Sequence, residues 1–238
     1  MRLIGLASVL RRSWRELVVI LPVAILSLSG CAPLSKGEYW NGSYAHLNPP
    51  RYRFNVPDGW RAVTASDFPS LAFNRRAFAT LDAPNRRAFL QRAEIELQAI
   101  DTGLISARGA WIQVGSEAGS GGWHLWRNPF TREPLPLGLS ERQKQALWER
   151  FTASRIQRAP PTDKPKLTLG SIDVVSYGLN RVLRLRFKSE EARGSMYWTV
   201  LGVYSSNDTV SLAHLGTPED RDEGIAGFEE IAATLRFD

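Results

Sequence analysis

The stretch Arg181–Leu215 reads RVLRLRFKSEEARGSMYWTVLGVYSSNDTVSLAHL and decides the fold class of this chain. From Arg181 to Lys188, leucine and phenylalanine alternate with basic residues, as in a strand that has one solvated face. Met196–Tyr204 is apolar or aromatic on both faces, which is typical of a central strand covered on each side. An Asn-Asp turn then leads into Thr209–Leu215. We therefore expect an antiparallel meander with helices on both of its faces.

Helices that would cover this sheet are predicted by capping residues and apolar stripes. Asp82 is expected to begin a helix that runs to about Ile100. Ser140 and Gln143 form a capping box, in which each residue satisfies a free backbone donor at a helix start. A final helix has an apolar stripe formed by Ile225, Phe228, Ala232 and Leu235. The predicted fold class is α+β, with a central, mostly antiparallel sheet and helices on both faces.

Two further segments carry a family resemblance. Tyr52-Arg-Phe-Asn-Val-Pro-Asp-Gly-Trp60 predicts a strand that enters a Pro-Asp-Gly turn. Gly224–Phe237 predicts an amphipathic helix with a terminal aromatic residue. With these segments and this order of elements, the chain resembles the PsbP-like α/β/α sandwich of photosystem PsbP, Mog-type Ran-binding proteins and DcrB-like bacterial lipoproteins. The resemblance implies a non-catalytic binding or assembly module, and no functional residue is carried over from it.

The first thirty residues have the pattern of an export signal. A positively charged segment, Met1–Glu16, precedes thirteen largely apolar residues, Leu17–Ser29. As a helix these residues would extend over only about 20 Å of a hydrocarbon core about 30 Å thick. The segment is therefore expected to be a signal peptide rather than a transmembrane helix. The sequence leaves open whether export follows the Sec or the twin-arginine route.

Leu28-Ser29-Gly30-Cys31 follows at the end of the apolar segment and resembles the lipobox of bacterial lipoproteins. Cys31 is the only cysteine in the chain. The resemblance implies cleavage between Gly30 and Cys31 and modification of Cys31 by acyl chains such as palmitate, which would anchor the protein in a lipid bilayer. Ala32, in place of the Asp that retains enterobacterial lipoproteins at the inner membrane, favours the outer membrane, with the domain facing the periplasm.

The sequence predicts three segments. Residues 1–30 are expected to be a lipoprotein signal peptide, residues 31–50 the lipidated cysteine with a flexible tether, and residues 51–238 a single globular domain. The tether is expected because Pro, Gly, Ser and Asn are mixed there with scattered aromatic residues and no periodicity. Tyr39 and Trp40 are then either membrane-interface residues or loose aromatic residues of a linker.

The net charge of +6 does not indicate a nucleic-acid-binding protein once it is placed along the chain. Residues 1–30 hold four arginines against one glutamate, a net charge of +3, so the remaining residues also carry only +3. We expect no nucleic acid among the partners, which are predicted to be the bilayer and an unknown envelope protein or glycan.

The candidate binding residues are aromatic. Ser106–Val114 is predicted as one strand and 115–122 as a glycine-rich connection, with the candidate residues around it. These candidates are Trp111, Trp123, His124 and Trp126. Aromatic rings on such a loop suit stacking on sugars or gripping a partner protein, while tryptophan packing under a loop is the plainer interpretation. The alternative function is therefore a glycan-binding or hydrolytic envelope domain.

Catalytic and metal-binding patterns are weak in this sequence. The three histidines lack metal-ligand spacing, and no Gly-x-Ser-x-Gly motif occurs. His214 shares a strand face with Val210 and Leu212, which favours a hydrogen-bonded structural imidazole. We expect a membrane-anchored binding or assembly module rather than an enzyme, with no catalytic residue, no metal and no cofactor.

Overall fold

The structure of the protein is a computed structural model. It describes residues 36–117, 138–158, 165–191, 194–204 and 208–238. Within these residues the chain forms two antiparallel sheets and a set of helices. The fold class is α+β, as the sequence predicts.

The strands of the described residues divide between a seven-stranded and a four-stranded sheet. In chain order they are β1 (Gly37–Trp40), β2 (Ser43–His46), β3 (Tyr52–Asn55), β4 (Trp60–Ala62), β5 (Thr102–Ser106), β6 (Trp111–Glu117), β7 (Lys166–Tyr177), β8 (Asn180–Glu191), β9 (Gly194–Tyr204), β10 (Thr209–Gly216) and β11 (Arg236–Phe237). The larger sheet has the order β4-β5-β6-β10-β9-β8-β7, and the smaller sheet has the order β1-β2-β3-β11.

The antiparallel meander is confirmed, because β7, β8, β9 and β10 are successive neighbours in the larger sheet. Leu183, Leu185 and Phe187 are buried on one face of β8, since side chains alternate between the faces of a strand. Every residue of β10 is buried. This strand lies between β6 and β9, in the middle of the sheet.

Four α-helices lie in the described residues, together with a 3-10 helix at Ala65–Ser70. The α-helices are α1 (Arg75–Ala79), α2 (Ala83–Ala99), α3 (Glu141–Arg158) and α4 (Arg221–Thr234). The predicted caps are confirmed: the Asn85 N–H donates to Asp82 at 2.9 Å, and the Gln143 N–H donates to the Ser140 hydroxyl at 3.3 Å. None of the helices in the described part of the chain is long and apolar enough to cross a membrane.

The larger sheet is covered on both faces. On one face, α4 and the smaller sheet form a core to which Tyr44 and Tyr52 contribute. On the other face, α3 packs over the meander through Leu147. On that same face, α2 and the 3-10 helix pack near β5 and β6 through Phe89 and Phe68. The seven-stranded sheet is therefore the middle of three layers.

The flexible tether expected over residues 31–50 is wrong for its described part. β1 and β2 pair as a hairpin, and β2 also pairs with β3. Tyr44 is 1% exposed, and its ring centroid lies 5.2 Å from that of Phe54. Because an aromatic residue of the expected linker is buried in the core, the folded domain already includes Lys36 and does not start at Arg51.

The single strand expected over Ser106–Val114 is two strands, β5 and β6, joined by a tight turn. Gly109 has a φ of +91°, which few residues other than glycine adopt easily. The Ser106 N–H donates to the Ala110 carbonyl at 3.0 Å and closes the turn. The two strands form a hairpin at one side of the larger sheet.

Candidate functional site

The residues that the sequence singles out fall into two groups. Gly30 and Cys31, the expected cleavage and lipidation positions, lie outside the described residues, as do Trp123, His124 and Trp126. Trp111 is the one candidate binding residue that the structure describes.

Trp111 lies in the core. It is 2% exposed on β6 and packs with the 3-10 helix. Its ring stacks on Phe73 at 5.7 Å between centroids and meets Phe68 edge-on at 5.4 Å. The indole Nε1 has no hydrogen-bond partner among the described residues. A ring buried in this way packs the core and offers no face on which a sugar could stack.

His214 is a structural imidazole, as its strand face predicts. It is 1% exposed, and its Nδ1 donates to the Trp111 carbonyl at 2.9 Å, because a carbonyl only accepts. Burial lowers the pKa of His214, although the hydrogen bond to Trp111 and the nearby Asp220 act in the opposite direction. His214 Nε2, Asp220 Oδ2 and Glu223 Oε2 are buried and lack partners within the described segments.

The best-developed polar site joins the N-terminal hairpin to the larger sheet. We call Asp101 with His46, Tyr52 and Ser116 the Asp101 cluster. Tyr52 donates to Asp101 Oδ2 at 2.8 Å, and Ser116 donates to the same oxygen at 2.5 Å. His46 Nε2 lies 3.7 Å from Asp101 Oδ1, while its Nδ1 donates to the Pro50 carbonyl at 2.9 Å. His46, Tyr52 and Ser116 belong to β2, β3 and β6, and Asp101 immediately precedes β5.

The tyrosines near Asp101 are held in their protonated form. Burial is the main cause that raises the pKa of Tyr52 well above its ordinary value, and the negative Asp101 adds to it. The same two causes raise the pKa of Tyr44. Tyr44 donates to the backbone carbonyl of Asp101 at 3.2 Å. Both phenols therefore act as hydrogen-bond donors that fix the smaller sheet to the larger one.

The order of groups in the Asp101 cluster does not suit nucleophilic catalysis. In a serine hydrolase, the imidazole lies between the hydroxyl and the carboxylate, so that it removes the hydroxyl proton. Here Ser116 donates directly to Asp101 Oδ2, and His46 Nε2 lies 3.7 Å from the other oxygen, Oδ1. The imidazole donates from its Nδ1 to the Pro50 carbonyl and forms no hydrogen bond with Ser116. The cluster connects packed elements and has the geometry of a structural site.

A second polar network fixes α4 on the meander. Tyr177 donates to Glu229 at 2.9 Å, and Arg184 donates to the Tyr177 oxygen at 2.9 Å. Arg186 lies 3.7 Å from the same glutamate. Burial raises the pKa of Tyr177, and its hydrogen bond to Glu229 acts in the same direction. The basic face of β8, expected to be solvated, therefore partly packs against α4.

The outer face of the hairpin is the main apolar surface near the start of the described chain. Trp40 and Leu47 lie on this face and are exposed by 78% and 44%. Tyr39, which precedes Trp40 on β1, lies on the opposite face and packs inward. Asn41 and Gly42, with φ values of 47° and 71°, form the two-residue turn between β1 and β2. Trp40 therefore stands at the end of a paired strand and not in a loose linker.

Lys36 fixes the beginning of the hairpin to the end of α2. Its ammonium group donates to the Ile100 carbonyl at 2.8 Å and also to the Gln98 carbonyl. Burial is the main cause that lowers the pKa of Lys36, and nearby Asp101 opposes it. The hydroxyl groups of Tyr39 and Thr102 share a hydrogen bond. The hairpin is thus attached at Lys36 to the end of α2 and at Tyr39 to β5.

In the described part of the chain, no group of three or more His, Cys, Asp or Glu side chains has a geometry that could hold a metal ion.

The sequence matches no family model, and no curated protein is similar to it in sequence. Among solved structures, the chain is similar to cyanobacterial PsbP (CyanoP) from Synechocystis, with a TM-score of 0.45 and 10% identity over 90% of this chain and 99% of that one. It is also similar to LpqN, involved in cell envelope biogenesis of Mycobacterium tuberculosis. That similarity has a TM-score of 0.38 and 9% identity over 81% of this chain and 88% of that one. At these identities and TM-scores the similarities concern the fold alone and carry no function.

The hairpin and the Asp101 cluster are the features that the sequence interpretation missed. One local signal was present: Asn41-Gly42 between Tyr39-Trp40 and Ser43-Tyr44 is a strong indication of a two-residue hairpin. No comparable signal exists for the cluster, because its members come from four separate segments.

Proposed function

We propose that the chain is a lipoprotein of the cell envelope, acylated at Cys31, whose folded domain is a non-catalytic binding or assembly module held at the membrane. The observation that carries this proposal is the position of the only cysteine. It stands at the end of the apolar segment Leu17–Ser29 and only five residues ahead of Lys36, where the described domain begins.

Two acyl chains are enough to anchor a protein stably in a bilayer, because each buried methylene contributes about 0.8 kcal/mol to membrane affinity. The diacylglyceryl group that the lipobox resemblance implies would supply both. The folded domain then needs no spanning segment of its own to stay on the membrane.

The arrangement of the described polar groups supports a binding role. The side chains of the Asp101 cluster and of the Tyr177–Glu229 network join packed elements, and in neither network does an imidazole hydrogen-bond to a hydroxyl group. The proposed module therefore acts through its surface, by positioning a partner at the membrane.

Metabolic labelling with an alkyne fatty acid tests the acylation. The wild-type protein is expected to be labelled and recovered in membranes, and Cys31→Ser is expected to be unlabelled. Ser29→Ala is the matched control, because it keeps a small residue before the cleavage position and should remain labelled. Equal labelling of wild type and Cys31→Ser would refute the proposal.

The outer-membrane location is tested by separating the two membranes on a density gradient. Wild type is expected with the outer membrane, and Ala32→Asp is expected to move toward the inner membrane. Wild type in the inner-membrane fraction would contradict the outer-membrane part of the proposal and would leave the acylation untouched.

A further inference from the structure

We propose that the outer face of the N-terminal hairpin, which carries Trp40 and Leu47, lies against the lipid headgroups of the membrane. We call these two residues the hairpin surface. The inference rests on the proposed acylation of Cys31, and it adds which side of the domain faces the bilayer.

The length of chain between the anchor and the fold limits the position of the domain. Lys36 lies five positions after Cys31, a distance along the chain that spans at most about 18 Å when fully extended. A nineteen-residue flexible tether, by comparison, has a typical end-to-end distance of about 25 Å and a far longer reach. An acylated Cys31 therefore keeps Lys36 close to the headgroups.

Both the side chain and the backbone of Lys36 are fixed in the fold, so the domain cannot rotate freely about this residue. Its ammonium group is held by the carbonyls of Ile100 and Gln98. Its backbone carbonyl accepts from the Leu47 N–H at 3.2 Å. Leu47 thus lies next to Lys36, the residue at which the segment from Cys31 joins the described domain. β1 follows Lys36 and ends at Trp40.

The side chains of the hairpin surface suit the interface between lipid and water. Trp has an apolar body and a polar tip and is enriched at the level of the headgroups. Trp40 is 78% exposed, so most of its side chain is available to the interface. The turn at Asn41 and Gly42 holds it on a paired strand, so insertion would cost little conformational entropy.

One basic side chain lies on the same outer face as the hairpin surface. Arg53 is paired with Ala45 and stays 65% exposed although it lies 3.3 Å from Asp238. Basic side chains next to a membrane surface are attracted to anionic lipids over a distance of about a Debye length.

A matched reference position exists on the opposite side of the molecule. Ile156 on α3 is 40% exposed, similar to Leu47 at 44%. α3 packs on the face of the larger sheet opposite to the smaller sheet. A probe there should stay in water if the hairpin surface faces the lipid.

The test uses the full acylated chain in vesicles of phosphatidylethanolamine and phosphatidylglycerol. An environment-sensitive fluorophore is attached to a thiol introduced by Trp40→Cys, Leu47→Cys or Ile156→Cys, because the thiol of Cys31 is blocked by its lipid. Lipids with a spin label near the headgroup act as quenchers. The probes at positions 40 and 47 are expected to be quenched several-fold more than the probe at position 156.

Equal quenching at all three positions would overturn the inference, and the surface would then be free to bind a protein partner. Mass measurement of the same samples separates the two proposals. If the chain is acylated and quenching is equal, only the orientation fails, whereas an unacylated chain removes the proposed function and the orientation together.

If a labelled variant does not fold, amide exchange of the unlabelled acylated chain is compared in vesicles and detergent, and unchanged exchange in residues 37–47 would also overturn the inference.

Discussion

The imidazole ring of His214 lies directly against the backbone of Gly224, so that a Cβ atom at Gly224 would overlap the ring. This contact joins β10 to the first turn of α4. His214 cannot easily move aside, because its Nδ1 is bound to the Trp111 carbonyl at 2.9 Å on the neighbouring strand. Glycine is therefore needed inside a helix, where it is otherwise unfavourable.

We predict that Gly224→Ala lowers the free energy of unfolding by about 1 to 3 kcal/mol. Alanine usually stabilises a helix relative to glycine, so the sign of the change tests the contact. Gly138→Ala is the control, because a Cβ there has nothing within 4 Å, and it should change stability by less than about 0.5 kcal/mol. Urea denaturation measures both variants, and a stabilising Gly224→Ala would show that the contact is absent.

Stability should depend on pH through His214. Burial lowers its pKa in the folded state below the ordinary value of about 6.5, so the unfolded chain binds a proton first as the pH falls. The stability that neutral His214 contributes is therefore present above about pH 6.5 and is lost progressively below it. Glu96 acts in the opposite sense, because burial raises its pKa to about 6.

His214→Asn isolates this effect, since the asparagine amide can replace the Nδ1 donor and does not titrate. We expect the free energy of unfolding of wild type to fall more steeply than that of His214→Asn between pH 7 and 5, a range set by the ordinary histidine pKa of about 6.5. Parallel curves from urea denaturation over this range would contradict the burial of a neutral imidazole.

Tyr52→Phe should weaken the attachment of the smaller sheet. The change removes a donor from the carboxylate of Asp101 without changing the packing of the ring, and hydrogen bonds to charged groups contribute about 1.5 to 3 kcal/mol. Tyr197→Phe is the control, because its ring contact with Arg221 is kept. Thermal unfolding compares the two variants, and equal melting temperatures would argue against the Asp101 cluster.

The hairpin should be required for folding. A chain that begins at Lys36 is expected to fold cooperatively, whereas a chain that begins at Arg51 uncovers Tyr52 and Phe54, which are 0% and 1% exposed. Exposure of two large aromatic side chains costs at least about 3 kcal/mol. Circular dichroism and denaturant titration measure this difference, and equal stability of the two chains would restore the flexible-tether interpretation of residues 36–50.

The sequence predicts the parts of this fold whose signals are local. The alternation in β8 places Leu183 and Phe187 on one face, and Asp82 and Ser140 begin the helices that their capping patterns indicate. These signals are strong because each depends on residues a few positions apart.

The remaining parts depend on contacts between distant segments. The sequence around Tyr44 indicates a linker, because the residues that contact Tyr44 are not its neighbours along the chain. Phe54 packs on its ring, and the backbone carbonyl of Asp101 accepts a hydrogen bond from its hydroxyl. The sequence also could not show that Trp111 is buried, since Phe68 and Phe73 cover it from a segment without a clear pattern. Local signals existed only for the turns, at Asn41-Gly42 and at Gly109.

The most direct test of membrane attachment is the mass of the N-terminal peptide of the protein purified from membranes. Acylation at Cys31 predicts a peptide that begins at Cys31 and carries the mass of its acyl chains. A peptide that runs uncleaved from Gly30 into an unmodified Cys31 would contradict it.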